Sequence, residues 1–194
     1  MKTLEKPTAP DAEAKKARAA QRKARLQKQE EANRVTFALQ GDVRRHIAAQ
    51  AKAEGMDMGH FMQKLVENHV LATAPADDPL ARRIAARRAV IDAAVTRAKE
   101  LDAAGKFEPH FILSVMKSLA AEPEFRDTYA VAVGDTGEQP KRAARERVAL
   151  NQQLGRLVKR AAGARSARDE KGKIQRAQVQ DEMISSYTLL AKPA

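Results

Sequence analysis

The first regular pattern in the chain is an alternation. Over residues 34–39 the positions Arg34, Thr36 and Ala38 interleave with the apolar Val35, Phe37 and Leu39. A period of two, rich in β-branched and aromatic residues, predicts a half-buried strand. Gln40 and Gly41 interrupt it, and the period changes. Asp42 is an N-cap candidate for a helix with Val43, Ile47 and Ala51 on one face, and Gly55 stands where a helix-ending glycine belongs. Asp57 is placed to cap a second helix, with Met56 spaced to staple against Phe61. That helix carries Phe61, Met62, Leu65, Val66 and Val70 at helical spacing.

Beyond it the period stays helical. Residues 72–78 are small, acidic or proline and predict a linker, and Asp78-Pro79 is a good helix start. Over 79–104, Leu80, Ile84, Ile91, Val95, Ala98 and Leu101 recur at spacings of three, four or seven. Arg82, Arg83, Arg87 and Arg88 fall on or near the opposite face, where a solvated surface is expected. Gly105 ends this helix and Pro109 opens the next, whose stripe is Phe111, Ile112, Val115, Met116 and Leu119. Glu122-Pro123 interrupts, and a shorter helix holds Phe125, Tyr129 and Val131. From Pro140 a longer helix carries Ala144, Val148, Leu154, Leu157 and Val158 until Gly163. Val179, Met183, Tyr187 and Leu190 predict a short terminal helix over 177–190.

One strand followed by two helices cannot stand alone, because its backbone edges are unpaired and even a two-stranded ribbon is marginal in water. A second copy of the chain solves this. Two strands pair antiparallel, Val35, Phe37 and Leu39 turn inward with Ile47, Phe61 and Leu65 as a shared dimer core, and the helices close over them. Arg34, Thr36 and Ala38 then face outward on a ribbon of the width that enters the DNA major groove. The competing reading of the same stretch is a small piece of a mixed α/β core.

In its alternation, its Gly41-Asp42 break, its Gly55 stop and its second amphipathic helix, the stretch 34–70 resembles the ribbon-helix-helix (Arc/MetJ-like) family of DNA-binding proteins. The resemblance covers about a fifth of the chain. It implies a homodimer in which Arg34, Thr36 and Ala38 face the bases. It also implies a phosphate held by the backbone amides at Met58 and Gly59. Ala38 offers a thymine methyl at most, which leaves direct readout to Arg34 and Thr36. The expected fold class is therefore mainly α: an N-terminal ribbon-helix-helix module of one short strand and two helices, plus an all-helical C-terminal domain. The expected divisions are a basic, disordered arm over 1–33, the DNA-binding and dimerisation module over 34–71, the linker over 72–78 and the helical domain over 79–194.

Charge sharpens the picture. The 194 residues carry a formal net charge of +11, which favours an acidic partner, nucleic acid first and an anionic membrane surface second. Lys15, Lys16, Arg18, Arg22, Lys23, Arg25 and Lys28 lie in an acid-free run suited to following phosphates. The segment 141–176 is dense in Lys and Arg against only Glu146, Asp169 and Glu170. Within it Arg156, Lys159, Arg160 and Arg165 form a second basic surface, and Asn151, Gln152 and Gln153 add amides able to reach bases or backbone. A solvated helix face explains the same residues equally well.

Catalytic chemistry has no visible seat. With no Cys, disulfides and thiolate metal sites are excluded. His60, Glu67 and His69 would make a weak metal site at best, and ordinary surface positions account for them. No glycine-rich phosphate loop is present, and no serine has a neighbouring histidine to activate it. The reading is a non-enzymatic protein without cofactor or metal, with no membrane-spanning run and no secretory signal, and therefore cytoplasmic. Its partners are double-stranded DNA and a second copy of itself. By resemblance alone its role is that of a transcriptional repressor or an accessory factor at a plasmid or transfer-origin site. Two other classes compete: an antitoxin-like factor whose C-terminal domain binds a protein partner, and a non-specific basic nucleic-acid-binding scaffold.

Overall fold

The computed structural model describes residues 34–54, 56–75 and 77–193, preceded by Ala17, Ala20, Gln21, Ala24, Arg25, Gln27, Lys28, Glu31 and Ala32, which are helical and exposed. The chain divides into two compact units, Met1–Phe61 and Met62–Ala194.

In the first unit residues 34–40 have no regular secondary structure, and no described strand pairs with them. Helix α1 follows over Gly41–Ala53. Its start corrects an expectation. Gln40 occupies the cap position without a side-chain bond, and its carbonyl accepts from the Arg44 amide at 2.9 Å. Asp42 lies inside the first turn, where it favours the helix dipole and pairs with Arg45. The expected stop, Gly55, lies outside the described residues. Helix α2 spans Met58–Thr73. Asp57 does cap it, its carboxylate accepting from the His60 amide at 3.0 Å.

The division between units falls inside α2 rather than at the expected linker over 72–78. Arg88 joins the second half of α2 to the helix that follows. Its guanidinium donates to the Lys64 carbonyl at 3.1 Å, to the Asn68 amide oxygen at 2.6 Å and to Glu67 at 3.2 Å.

That helix, α3 (Pro79–Ala103), starts as the sequence predicts. Pro79 takes the first turn and Asp78 accepts from the Ala81 amide at 2.8 Å, a cap worth about 1 kcal/mol. Its fully buried positions are Ala81, Val90, Ala94 and Ala98. Small side chains let neighbouring helices approach closely. Helices α4 (Phe111–Ala120), α5 (Pro123–Val133) and α6 (Pro140–Ala161) pack with α3 around one core. α4 is its centre, burying Phe111, Ile112, Val115, Met116 and Leu119 as its stripe requires. Gly163, at φ 57°, ends α6: the Gly163 amide returns to the Arg160 carbonyl and the Ala164 amide to Lys159, both at 3.0 Å.

Two stripes differ from expectation. In α5 Phe125 and Tyr129 are buried as expected, but Ala132 and Val133 complete the stripe, while Val131 is exposed. In α6 the core takes Ala143, Leu150, Leu154 and Val158, leaving Ala144 and Val148 exposed.

The C-terminal domain is not all-helical, which corrects the expected fold. Past Gly163 the chain forms β1 (Arg165–Ser166), β2 (Arg176–Gln178), β3 (Ser186–Thr188) and β4 (Leu190–Ala191). β1 pairs antiparallel with β4, and β2 with β3. The helix expected over 177–190 is therefore a hairpin. Asp181 takes a left-handed conformation at φ 59°, and the Val179 amide donates to the Ser185 carbonyl at 3.0 Å across the turn. Ile184, Tyr187 and Leu190, rather than Val179 and Met183, are the residues fully buried in the core. Serines and a β-branched threonine beside Tyr187 give the segment little helix propensity to oppose this.

Candidate nucleic-acid interface

In the N-terminal unit Arg34, Thr36 and Ala38 are exposed, as base-facing residues must be. Their apolar neighbours are exposed too. Val35 keeps 82% of its surface and Phe37 57%, while Leu39 is half-buried. Of the expected dimer core, Phe61 is buried, Ile47 is half-buried and Leu65 is 38% exposed. Residues 34–39 thus leave a β-branched and an aromatic side chain in water.

The start of α2 is occupied by its own carboxylate. Asp57 accepts from the His60 amide and pairs with the His60 ring. The amide bond, then the ring contact, holds its pKa below the ordinary aspartate value, and the Gly59 amide adds to this. The Gly59 and His60 amides thus already serve an anion, and a phosphate there would share the site with Asp57. Arg25 is helical and exposed; Lys15, Lys16, Arg18, Arg22 and Lys23 lie outside the described residues.

The C-terminal unit sorts its cations into two kinds. Some hold the fold together. Arg97 bridges to Glu122 at 2.7 Å and to Glu100 at 3.1 Å, and the bond to Glu122 first, then that to Glu100, raises its pKa. Arg147 meets Asp135 at 2.8 Å, Lys117 meets Glu182 at 2.9 Å, and Lys192 meets Asp102 at 2.7 Å while donating to the Ala162 carbonyl at 2.6 Å. Arg87 donates to Gln153 at 3.0 Å. So Arg87 and Arg88, expected on a solvated face, are structural, and α3 is not a free basic surface.

The other kind lies on α6. Opposite the buried stripe, at 100° per residue, fall Lys141, Arg142, Arg145, Arg156, Lys159 and Arg160, with Gln152 among them and no acid. Glu146 lies off this face, 3.7 Å from Arg87. Lys141, Arg142, Arg145 and Arg156 are exposed and make no ion pair with described residues. Lys159 donates to the Ser166 hydroxyl at 3.3 Å, which joins the basic end of the helix to β1 and Arg165. Of the basic surface expected from sequence, Arg156, Lys159 and Arg160 lie on this face and Arg165 on β1. Lys141, Arg142 and Arg145 extend it beyond that expectation, and their signal is a set of repeats of three, four, eleven and fifteen along one helix.

The amides expected beside them behave differently. Asn151 faces inward, accepting from the Tyr129 hydroxyl at 2.7 Å and donating to the Met183 carbonyl at 2.9 Å. Gln153 is held by Arg87, and Gln152 alone of the three is exposed.

Comparison with protein-family models, with curated proteins and with solved structures finds no match. The interface therefore rests on its own chemistry. Among the described residues no group of three His, Asp or Glu side chains is placed to hold a metal. His60 is engaged by Asp57, and Glu67 by Arg88. No described helix is long and apolar enough to cross a membrane.

Proposed function

We propose that this protein binds double-stranded DNA. The segment 34–39 of two copies pairs as a ribbon that reads a short major-groove site, and the basic face of α6 supplies sequence-independent affinity. The observation that carries the reading is the acid-free outer face of α6, whose 22 residues span about 33 Å, close to one turn of B-DNA. A membrane surface fits this face less well. An interfacial helix inserts its apolar side into lipid, and the apolar side of α6 is buried in the protein core. The exposed Val35 and Phe37 support the ribbon, since antiparallel pairing would cover both. A repressor or a transfer-origin accessory factor is the role this arrangement suits.

The test is duplex binding across a salt series, with site selection from a random library for wild type and for Arg34→Ala with Thr36→Ala. Steep loss of affinity with salt and a selected half-site absent from the variant are expected. Absence of duplex binding at low salt refutes the proposal. Phe37→Asp tests the dimer separately by sedimentation. Its side chain is already exposed in the single chain, so the substitution should leave the monomer folded yet abolish self-association by placing a charge in the shared core.

A further inference from the structure

The expected ribbon needs two chains, but the protein also contains one made within a single chain. β2 and β3 pair in the register Arg176 with Thr188, Ala177 with Tyr187 and Gln178 with Ser186. The middle pair faces the core, where Tyr187 is 6% exposed and its hydroxyl lies 2.6 Å from His110 Nδ1. The other two pairs share the opposite face. Arg176, Gln178 and Ser186 are exposed, Thr188 is half-buried, and none of the four side chains hydrogen-bonds to a described residue.

We propose that the β2–β3 ribbon is a second base-reading element, presenting Arg176, Gln178, Ser186 and Thr188 to the major groove of duplex DNA. The inference rests on the DNA-binding reading above and adds a site to it. The residue types are those that discriminate bases: an arginine for the guanine edge, a glutamine for the adenine edge, and hydroxyls that donate or accept. The spacing fits as well. Arg176 and Gln178 are two residues apart on one strand, about 6.8 Å, which is two steps of duplex at 3.4 Å each.

The ribbon is also held rigidly, as a reading element must be. Its loop is fixed by the Val179–Ser185 backbone bond, by Glu182 on Lys117 and by the Asn151 bond to the Met183 carbonyl. The next turn back along the chain carries Arg168, Lys171 and Lys173 with Glu170, all exposed, and Arg165 precedes it on β1. Its Asp169 is turned inward to accept from the Lys171 amide at 3.0 Å and the Lys173 amide at 2.8 Å. Net positive charge therefore precedes β2, three exposed cations of this turn against the one exposed acid Glu170.

The experiment is site selection from a random duplex library with the full-length protein as wild type, Arg176→Ala/Gln178→Ala and, as the charge-conserving variant, Gln178→Ala alone. Each chosen site is then measured against a scrambled duplex. The double variant should lose preference at one block of the selected site, about tenfold or more in the specific-to-scrambled ratio. Gln178→Ala should lose part of the same block, with scrambled-duplex affinity and its salt slope unchanged. That block must differ from the one that Arg34→Ala/Thr36→Ala abolishes. An unchanged selected site in both ribbon variants overturns the inference and leaves DNA binding standing. Wild-type binding without any sequence preference also overturns it, and absence of duplex binding removes both readings. Circular dichroism confirms that the variants fold.

Discussion

Replacing Lys141, Arg145 and Arg156 by glutamine should change how salt weakens DNA binding far more than it changes the protein. The three lie on one strip of α6 spanning about 22 Å, are exposed, and make no ion pair with described residues. Glutamine keeps helix propensity close to that of lysine and arginine, so folding stability should move by about 0.5 kcal/mol or less. Each phosphate that is no longer neutralised takes about 0.9 from the slope of log affinity against log salt, so three such phosphates take about 2.7. Between roughly 50 and 200 mM salt, wild type should lose about fortyfold more affinity than the variant.

Fluorescence anisotropy on a labelled duplex at four salt concentrations measures both slopes. A control with Arg82, Lys99 and Lys106 changed to glutamine lowers net charge equally from α3 and the loop after it. Parallel lines for wild type and the α6 variant would refute the assignment of this face to DNA. An equal slope change in the control would show a field of the whole molecule instead of a contact surface.

Other expectations follow from the interior. Asn151→Ala severs the links from α6 to Tyr129 on α5 and to the Met183 carbonyl in the hairpin, and should cost about 1–3 kcal/mol in urea unfolding; no measurable change would mean the network is not structural. Gly155→Ala should stabilise the protein by about 0.5–1 kcal/mol, because a methyl there would meet Ile112 Cδ1 at 3.8 Å, an ordinary contact, and the helix gains propensity; a lower melting temperature would contradict this. Burial pushes the Tyr129 hydroxyl up to about 12 and also raises that of Tyr187, the other tyrosine in the chain. The folded state therefore holds a proton that the unfolded chain releases near pH 10, so this stabilisation is present below pH 10 and is lost as pH rises toward about 12. Absorbance titration of the native protein should show one tyrosine, Tyr129, ionising near pH 12, and loss of that late step would refute the burial argument.

The helical part of the fold is legible in the sequence because its punctuation is local. Asp78-Pro79, Gly105, Pro123, Pro140 and Gly163 mark ends with their own backbone chemistry, and the stripe from Phe111 to Leu119 admits one phase. In α6 the phase is less determined. Ala143 and Ala144 are equally small, and Val148 points to the wrong side, so the pattern alone sets the stripe about one residue off. The C-terminal ribbons are illegible for a different reason. Strands of two or three residues carry no period, and their partners lie far along the chain, Ser166 on Leu190 and Arg176 on Thr188. At 34–39 the alternation is clear, but a strand exists only through its neighbour, and the described chain brings none beside it.

The candidate interface shows the same limit in electrostatic form. The sequence counts 36 Lys and Arg against 25 Asp and Glu, but a count does not say where the surplus lies. Folding decides it by pairing acids with cations between elements: Glu67 with Arg88, Glu122 with Arg97, Asp135 with Arg147, Glu182 with Lys117 and Asp102 with Lys192. Each of these carboxylates is engaged by a cation on another element, and none of them belongs to α6. On the outer face of α6, Lys141, Arg142, Arg145 and Arg156 are left exposed with no acid among them. A concentrated, acid-free face creates a stronger local potential than the same charge dispersed, which gives the ion pairs that hold the helices together a second effect: they engage carboxylates that would otherwise be free to oppose the cations of α6.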